Sequence, residues 1–292
     1  MITQVRPASL GLALLLIAGP ASAYTAAGDR DFPATILLPQ IGPTDESYFT
    51  GASQPVPGGR ESALSATFDK TVIERLGIGL TEGYGFVQTT GQKPATGWQN
   101  LTLIGQYTAI VDRPAEFLLS LGFEREFGGT GAVRAGAEPD GATTPLVYFG
   151  KGLGDAGPAW LRPLAIVGNA GYALGDTAAR PDLWTGGIAF EYSFPYLTSK
   201  VEAGAIPDFL RGVTPMVEIT AETPVRATPD AQTAITVAPG VAIAGAGWEL
   251  GLEAPIAVTR GAGQGVGVAL QLHLALDYLM PERFGTPLLD RD

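Results

Sequence analysis

The sequence has no cysteine, a single histidine, and only 16 % charged residues over its 292 positions. Without cysteine there is no disulfide framework and no thiolate-bound metal. One histidine leaves only carboxylates to complete a zinc site, which argues against such a centre. Basic residues number 18 against 29 acidic ones, for a formal charge of −11. That balance excludes nucleic acid as a partner and disfavours docking on an anionic surface. No apolar run reaches the ~20 residues of a membrane helix. Nor is there a dinucleotide fingerprint: Gly261–Gly267 (GAGQGVG) has suitable glycines but leads into a strand, not a helix. No cofactor is called for.

What the sequence does contain begins with an export signal. Arg6 precedes the apolar stretch Leu10–Gly19, and Ala21-Ser22-Ala23 forms a cleavage site, so residues 1–23 read as a secretory signal peptide. An exported chain without a membrane helix is either soluble or a β-barrel. Glycine is abundant at 40, yet 46 % of the chain is hydrophobic and the apolar residues alternate, which disorder does not explain.

The alternation is clearest near the C-terminus. Val266, Val268, Leu270, Leu272, Leu274, Leu276 and Tyr278 interleave with Gly265, Gly267, Ala269, Gln271, His273, Ala275 and Asp277. Period two marks a strand with different media on its faces. Branched apolar residues on one side and small or polar ones on the other fit a barrel with lipid outside and a polar lumen. The same pattern locates ten further strands between Ser62 and Ile256. Short turns at Asp112–Ala115 and Ala244–Gly247 belong on the periplasmic side of such a barrel. Parity then requires a twelfth, outward strand before Ser62, placed near Ala34–Gly42. The expectation is a closed, all-β antiparallel transmembrane barrel of twelve strands, with ten as the alternative. Residues 24–59 form a lead-in holding the first strand, 60–279 the barrel and 280–292 a periplasmic tail. Glu82 falls on the lipid phase, so a bulge or the end of the bilayer is expected there.

Under this phase the carboxylates sort inward. Glu124, Glu126, Glu191, Glu218, Glu222, Glu249, Glu253 and Asp277, with Gln271 and His273, are the candidate lumen-lining residues. They make either a wetted, salt-bridged wall or a cation-favouring constriction. Arg125 falls on the lipid face at a strand end, where its cost is small. His273 invites a second hypothesis, a lipid-modifying enzyme with Ser120, Ser193 or Glu253 as partners. No nucleophile motif accompanies it, so no catalytic residue is assigned and no enzyme is expected. A third reading is a soluble periplasmic β-sandwich or binding module. Trp184, Trp248, Tyr192, Phe194 and Tyr278 near strand ends read as interfacial girdles.

Four segments carry a resemblance: Glu191–Leu197, Val213–Val225, Pro239–Val258 and Gly261–Asp277. They resemble a family of exported proteobacterial, outer-membrane transporter-like barrels akin to the one named for the MetA pathway of phenol degradation. The resemblance implies a barrel and uptake of small hydrophobic or aromatic compounds; it supplies no catalytic residue. The chain departs from the usual barrel terminus, ending Leu288-Leu289-Asp290-Arg291-Asp292 rather than on an aromatic. The expected protein is an outer-membrane channel or transporter, monomeric, with lipid and a small solute as its partners. The Gly128–Ala142 loop is a candidate cover for its outer mouth.

Overall fold

The computed structural model describes residues 25–201, 206–226 and 232–289. The signal peptide expected at residues 1–23 lies outside them. Among the described residues, twelve strands close into one antiparallel barrel. They are β1 (Glu46–Val56), β2 (Gly59–Ile73), β3 (Leu76–Thr89), β4 (Thr102–Asp112), β5 (Phe117–Glu126) and β6 (Ala142–Gly152), followed by β7 (Leu164–Gly175), β8 (Leu183–Tyr192), β9 (Val213–Pro224), β10 (Ala234–Gly245), β11 (Trp248–Glu253) and β12 (Val268–Ala275). A short piece, Ala95–Trp98, extends the sheet beside β3. Each strand pairs with its sequence neighbours, and β12 closes on β1 from Ala275↔Glu46 to Val268↔Ser53.

The phase is as the alternation requires. On β12, Leu270 is 48 % exposed while His273 is 1 % exposed. Phe49, Leu64, Ile78, Leu121, Val147, Leu250 and Leu272 also face outward. One belt of aromatics, Tyr84, Phe86, Trp98, Tyr172 and Trp184, gathers at the end away from the termini, packed edge to face. Tyr192 and Phe194 pack likewise at the other end, and the Tyr192 hydroxyl donates to the Trp160 carbonyl. Glu46 and Ala275 mark the near end of the barrel.

Two boundaries need correction. The first strand is Glu46–Val56, not Ala34–Gly42, and the barrel therefore starts before residue 60. Pro39 falls inside the expected strand and Pro33 and Pro43 flank it; proline removes a ladder donor and is poorly tolerated there. The barrel ends at Ala275, and Leu276–Leu279 turns into a single helical turn. At Glu82 no bulge occurs. The β2–β3 register runs unbroken past Glu82↔Ala66, shifting only between Thr71 and Ile73, and the Glu82 carboxylate accepts the Gly83 N–H.

After β12 the chain folds back under the seam. Leu276 N–H donates to the Asp45 carbonyl just ahead of β1. Further on, Phe284 packs edge to face on Phe68, and the N–H groups of Leu288 and Leu289 donate to the carbonyls of Thr71 and Val72 on β2. Buried Lys70 ties the crossing together: its ammonium lies 2.7 Å from Asp45 and donates to the Thr286 carbonyl at 2.9 Å.

Candidate functional site: a plugged lumen

Residues 25–45 occupy the interior of the barrel. A hairpin of Thr25–Ala27 and Arg30–Phe32 sits at the near end, and the chain then rises to an apex at Leu37-Leu38-Pro39 before descending to β1. The wall is shaped to admit it. A side chain at Gly251 would strike Ile36, and one at Gly150 would strike Phe32 and Ile41. The small residues on the inward phase leave the space that the plug fills.

Three sets of contacts stand out among those that hold the plug. At the near end, buried Arg30 donates from Nε to Glu116 at 3.2 Å, from Nη1 to the Pro163 carbonyl at 3.1 Å, and from Nη2 to the Arg162 carbonyl. Its guanidinium lies 3.7 Å from the ring centre of Tyr196, on helix α1 (Phe194–Lys200), and the Tyr196 hydroxyl donates to Glu116 at 2.6 Å. Burial and the Glu116 hydrogen bond push the Tyr196 phenol up to about 12. Along one side, Ala27, Phe32, Leu38 and Ile41 form an apolar core with Leu118, Leu146, Tyr148, Ala165, Val167 and Ala189 of β5–β8. On the opposite side the bonds are directional. The Ile36, Leu37 and Leu38 N–H groups all donate to the Glu218 carboxylate, at 2.5, 3.1 and 2.8 Å, and Ala34 N–H donates to Glu249 at 3.1 Å. Successive amides converging on one carboxylate satisfy the turn's backbone donors, which buried N–H groups require.

The plug separates two cavities. The near one, about 400 Å³, is bordered by Asp45, Glu46, Arg75, Arg113 and Asp277. The far one, about 310 Å³, has Leu37, Leu38 and Pro39 as its floor and Asn169, Glu222 and Thr236 among its walls. The 127–141 connection packs against inward-facing Gly85 and Gly97 at the far end, with Gly131 N–H donating to Asn100 and the Gln99 amide donating to the Ala135 carbonyl.

The expected lumen residues therefore divide. Glu191, Glu218, Glu249, Glu253, Gln271 and His273 are buried inside. Glu191 lies within electrostatic reach of Glu218, Glu249 and Arg30, and Glu253 lies beside Glu218. Glu124 is on the inward phase of β5 and half-buried. Glu126 ends that strand and pairs with Arg180, while Glu222 is exposed at the far rim. Asp277 lies past the last strand and borders the near cavity rather than the wall. Arg125 reaches across to Asp176 at the far end, and that ion pair holds the Asp176 carboxyl below its ordinary range. His273 stacks on Tyr48, with ring centres 4.7 Å apart, and its Nε2 is 3.2 Å from Glu46. Ser120 bonds Thr108, and Ser193 accepts the Tyr196 N–H as the cap of α1.

The attachments themselves, Arg30, Glu116 and the amides of Ala34–Leu38, escape a side-chain reading of the sequence. The available signal is an apolar stretch bracketed by Pro33, Pro39 and Pro43 ahead of the first regular strand.

No family profile and no curated protein matches the sequence. Among solved structures, the chain is similar to the COG4313 outer membrane channel from Pseudomonas putida F1, with a TM-score of 0.57 at 11 % identity over 84 % of this chain and 99 % of that one. A KdgM porin aligns over 78 % of this chain and 98 % of that one, with a TM-score of 0.46 at 12 % identity. The fold is that of an outer-membrane β-barrel.

Proposed function

We propose that the protein is a narrow outer-membrane channel for small solutes, closed at rest by its own residues 25–45. The observation that carries this reading is the seat of the plug. A closed barrel wall presents Glu218 to three consecutive plug amides, with a cavity at either end of the blockage. Such a contact is directional and local. It can be released without unfolding the wall, because the strands keep their ladders with each other and not with the plug.

The near end faces the periplasm in this reading. Three of its five connections, 74–75, 113–116 and 246–247, are short, against one of six, 57–58, at the far end, and short turns are periplasmic in such barrels. The resemblance to the MetA-pathway family of phenol degradation, together with the apolar floor of the far cavity, favours small hydrophobic or aromatic solutes. We read His273 as structural and the protein as a non-enzyme. The ring is packed against Tyr48 and Glu46 in the interior, away from lipid, and Ser120 and Ser193 are engaged with Thr108 and the α1 cap.

Planar-bilayer recording tests the channel. The wild-type protein should give rare, brief openings, and Glu218→Gln, which weakens the acceptor of the three amides, should give frequent ones. Silence of both proteins, each verified as folded by a heat-modifiable gel shift, overturns the channel.

A further inference from the structure

The plug resembles a tethered organic cation. It offers its wall four N–H donors, those of Ala34, Ile36, Leu37 and Leu38, and brings the Arg30 guanidinium within electrostatic reach of Glu191. The wall answers with carboxylates from three strands: Glu191 on β8, Glu218 on β9, and Glu249 and Glu253 on β11. Two of these receive no hydrogen bond from the plug: Glu253, which lies beside Glu218, and Glu191. Glu191 is 1 % exposed and points into this group, yet neither of its carboxylate oxygens has a hydrogen-bond donor among the described residues. A buried carboxylate without donors is costly, because its lost hydration is not replaced.

The donor set also narrows the ligand. No group of three or more acidic or histidine side chains among the described residues converges to hold a metal ion. Carboxylates spread over several strands suit a longer molecule that carries several N–H donors. Guanidinium is planar, weakly hydrated and matched to carboxylate in geometry, and a primary ammonium adds three donors as a point charge.

We propose that the plug seat is a binding site for an organic cation bearing guanidinium or primary ammonium groups, which displaces residues 30–38 from Glu218 and Glu249 and pairs with Glu191. A ligand that binds only the plug-lifted state shifts the population toward it in proportion to its differential affinity. Binding and plug release are then one equilibrium. The proposal rests on the plug reading but not on conductance, so it is tested by the plug's position alone.

The absence of cysteine allows a single label. Full-length Leu37→Cys protein, labelled at the apex and held in detergent, is titrated with agmatine, with glutarate, and with KCl at matched ionic strength. Agmatine should raise label mobility saturably, and glutarate and KCl should not. In the same background Glu191→Gln should weaken the agmatine response about tenfold, the loss expected for a charge-assisted contact, and Asp208→Asn, at an exposed carboxylate on the connection outside the barrel, should leave it unchanged. Three results overturn the proposal: agmatine acting no differently from KCl, Glu191→Gln responding as its parent, or Asp208→Asn weakening the response equally. The agmatine–glutarate contrast on the parent protein decides the matter even if Glu191→Gln does not fold. Loss of conductance with this titration intact would remove the channel and leave the site.

Discussion

The two sides of the barrel hold the same peptide by different physics. The β5–β8 side packs Leu118, Leu146, Tyr148 and Val167 against Phe32, Leu38 and Ile41. The β9–β11 side offers carboxylates to backbone amides. Apolar packing is non-directional and scales with the area removed from water. Hydrogen bonds to a buried charge are directional, and removing one partner leaves the other stranded at full desolvation cost. The first side therefore fixes how much of the plug is buried, and the second fixes its register. A plug held only by the apolar side could slide. One held only by carboxylates would gain little from being buried.

The sharpest way to break this comparison is at Glu218. Glu218→Gln keeps the volume but removes the charge that three amides share, and should weaken seating by roughly 3 kcal/mol. It should free the apex while the Phe32 region stays packed, which proteolysis and hydrogen exchange across residues 33–40 would reveal. If exchange rises uniformly from residue 25 to 45, the division of labour is wrong. Leu38→Ala probes the other side and should cost about 2 kcal/mol through lost burial and the cavity left behind. Unlike Glu218→Gln, it should raise exchange without shifting the apex, read from a label at Leu37. Gly251→Val adds bulk where only Ile36 stands within contact. Overpacking of this kind costs about 1 kcal/mol or more, and the combination with Ile36→Ala should recover wild-type seating.

The smallest effect belongs to the near-end anchor. The Tyr196 phenol is raised above its ordinary value, so its contribution is complete below about pH 10 and disappears as pH climbs through about 12. A thermal-stability profile against pH should fall off in that alkaline window for the wild type and less so for Tyr196→Phe. Parallel profiles would show that the hydroxyl contributes nothing to the anchor.

Much of the wall was legible from residue order. Strict alternation in Val268–Ala275, with leucines on one phase and Gln271 and His273 on the other, fixes both the strand and its outward face. The strand Glu46–Val56 was not legible, because Gly51, Ala52 and Ser53 leave only Phe49 as a large outward side chain in its middle. Parity demands a strand, and the nearest apolar stretch that offers one is Ala34–Leu38. That stretch is apolar because it is buried, but it is buried within the lumen. The inward apolar residues Leu146 and Val167 likewise break the polar phase of their strands, and only the plug explains them. Alternation puts Glu191, Glu218, Glu249 and Glu253 on the inward phase, where they are buried, whereas Glu222 stands at the exposed rim and Asp277 past the last strand. Their partners were not visible, since the amides that Glu218 accepts come from residues 180–182 positions away. Backbone donors have no signature in residue type.

The fold-back of residues 276–289 bears on how the cylinder is locked shut. The last strand meets the first through eight residue pairs, and the segment that follows then steps over the first strand and fastens to the second. Splitting the cylinder along that line from the near end must lift this strap before the first rung of the ladder can part, so the join least supported by neighbouring sequence is the one that is double-stitched.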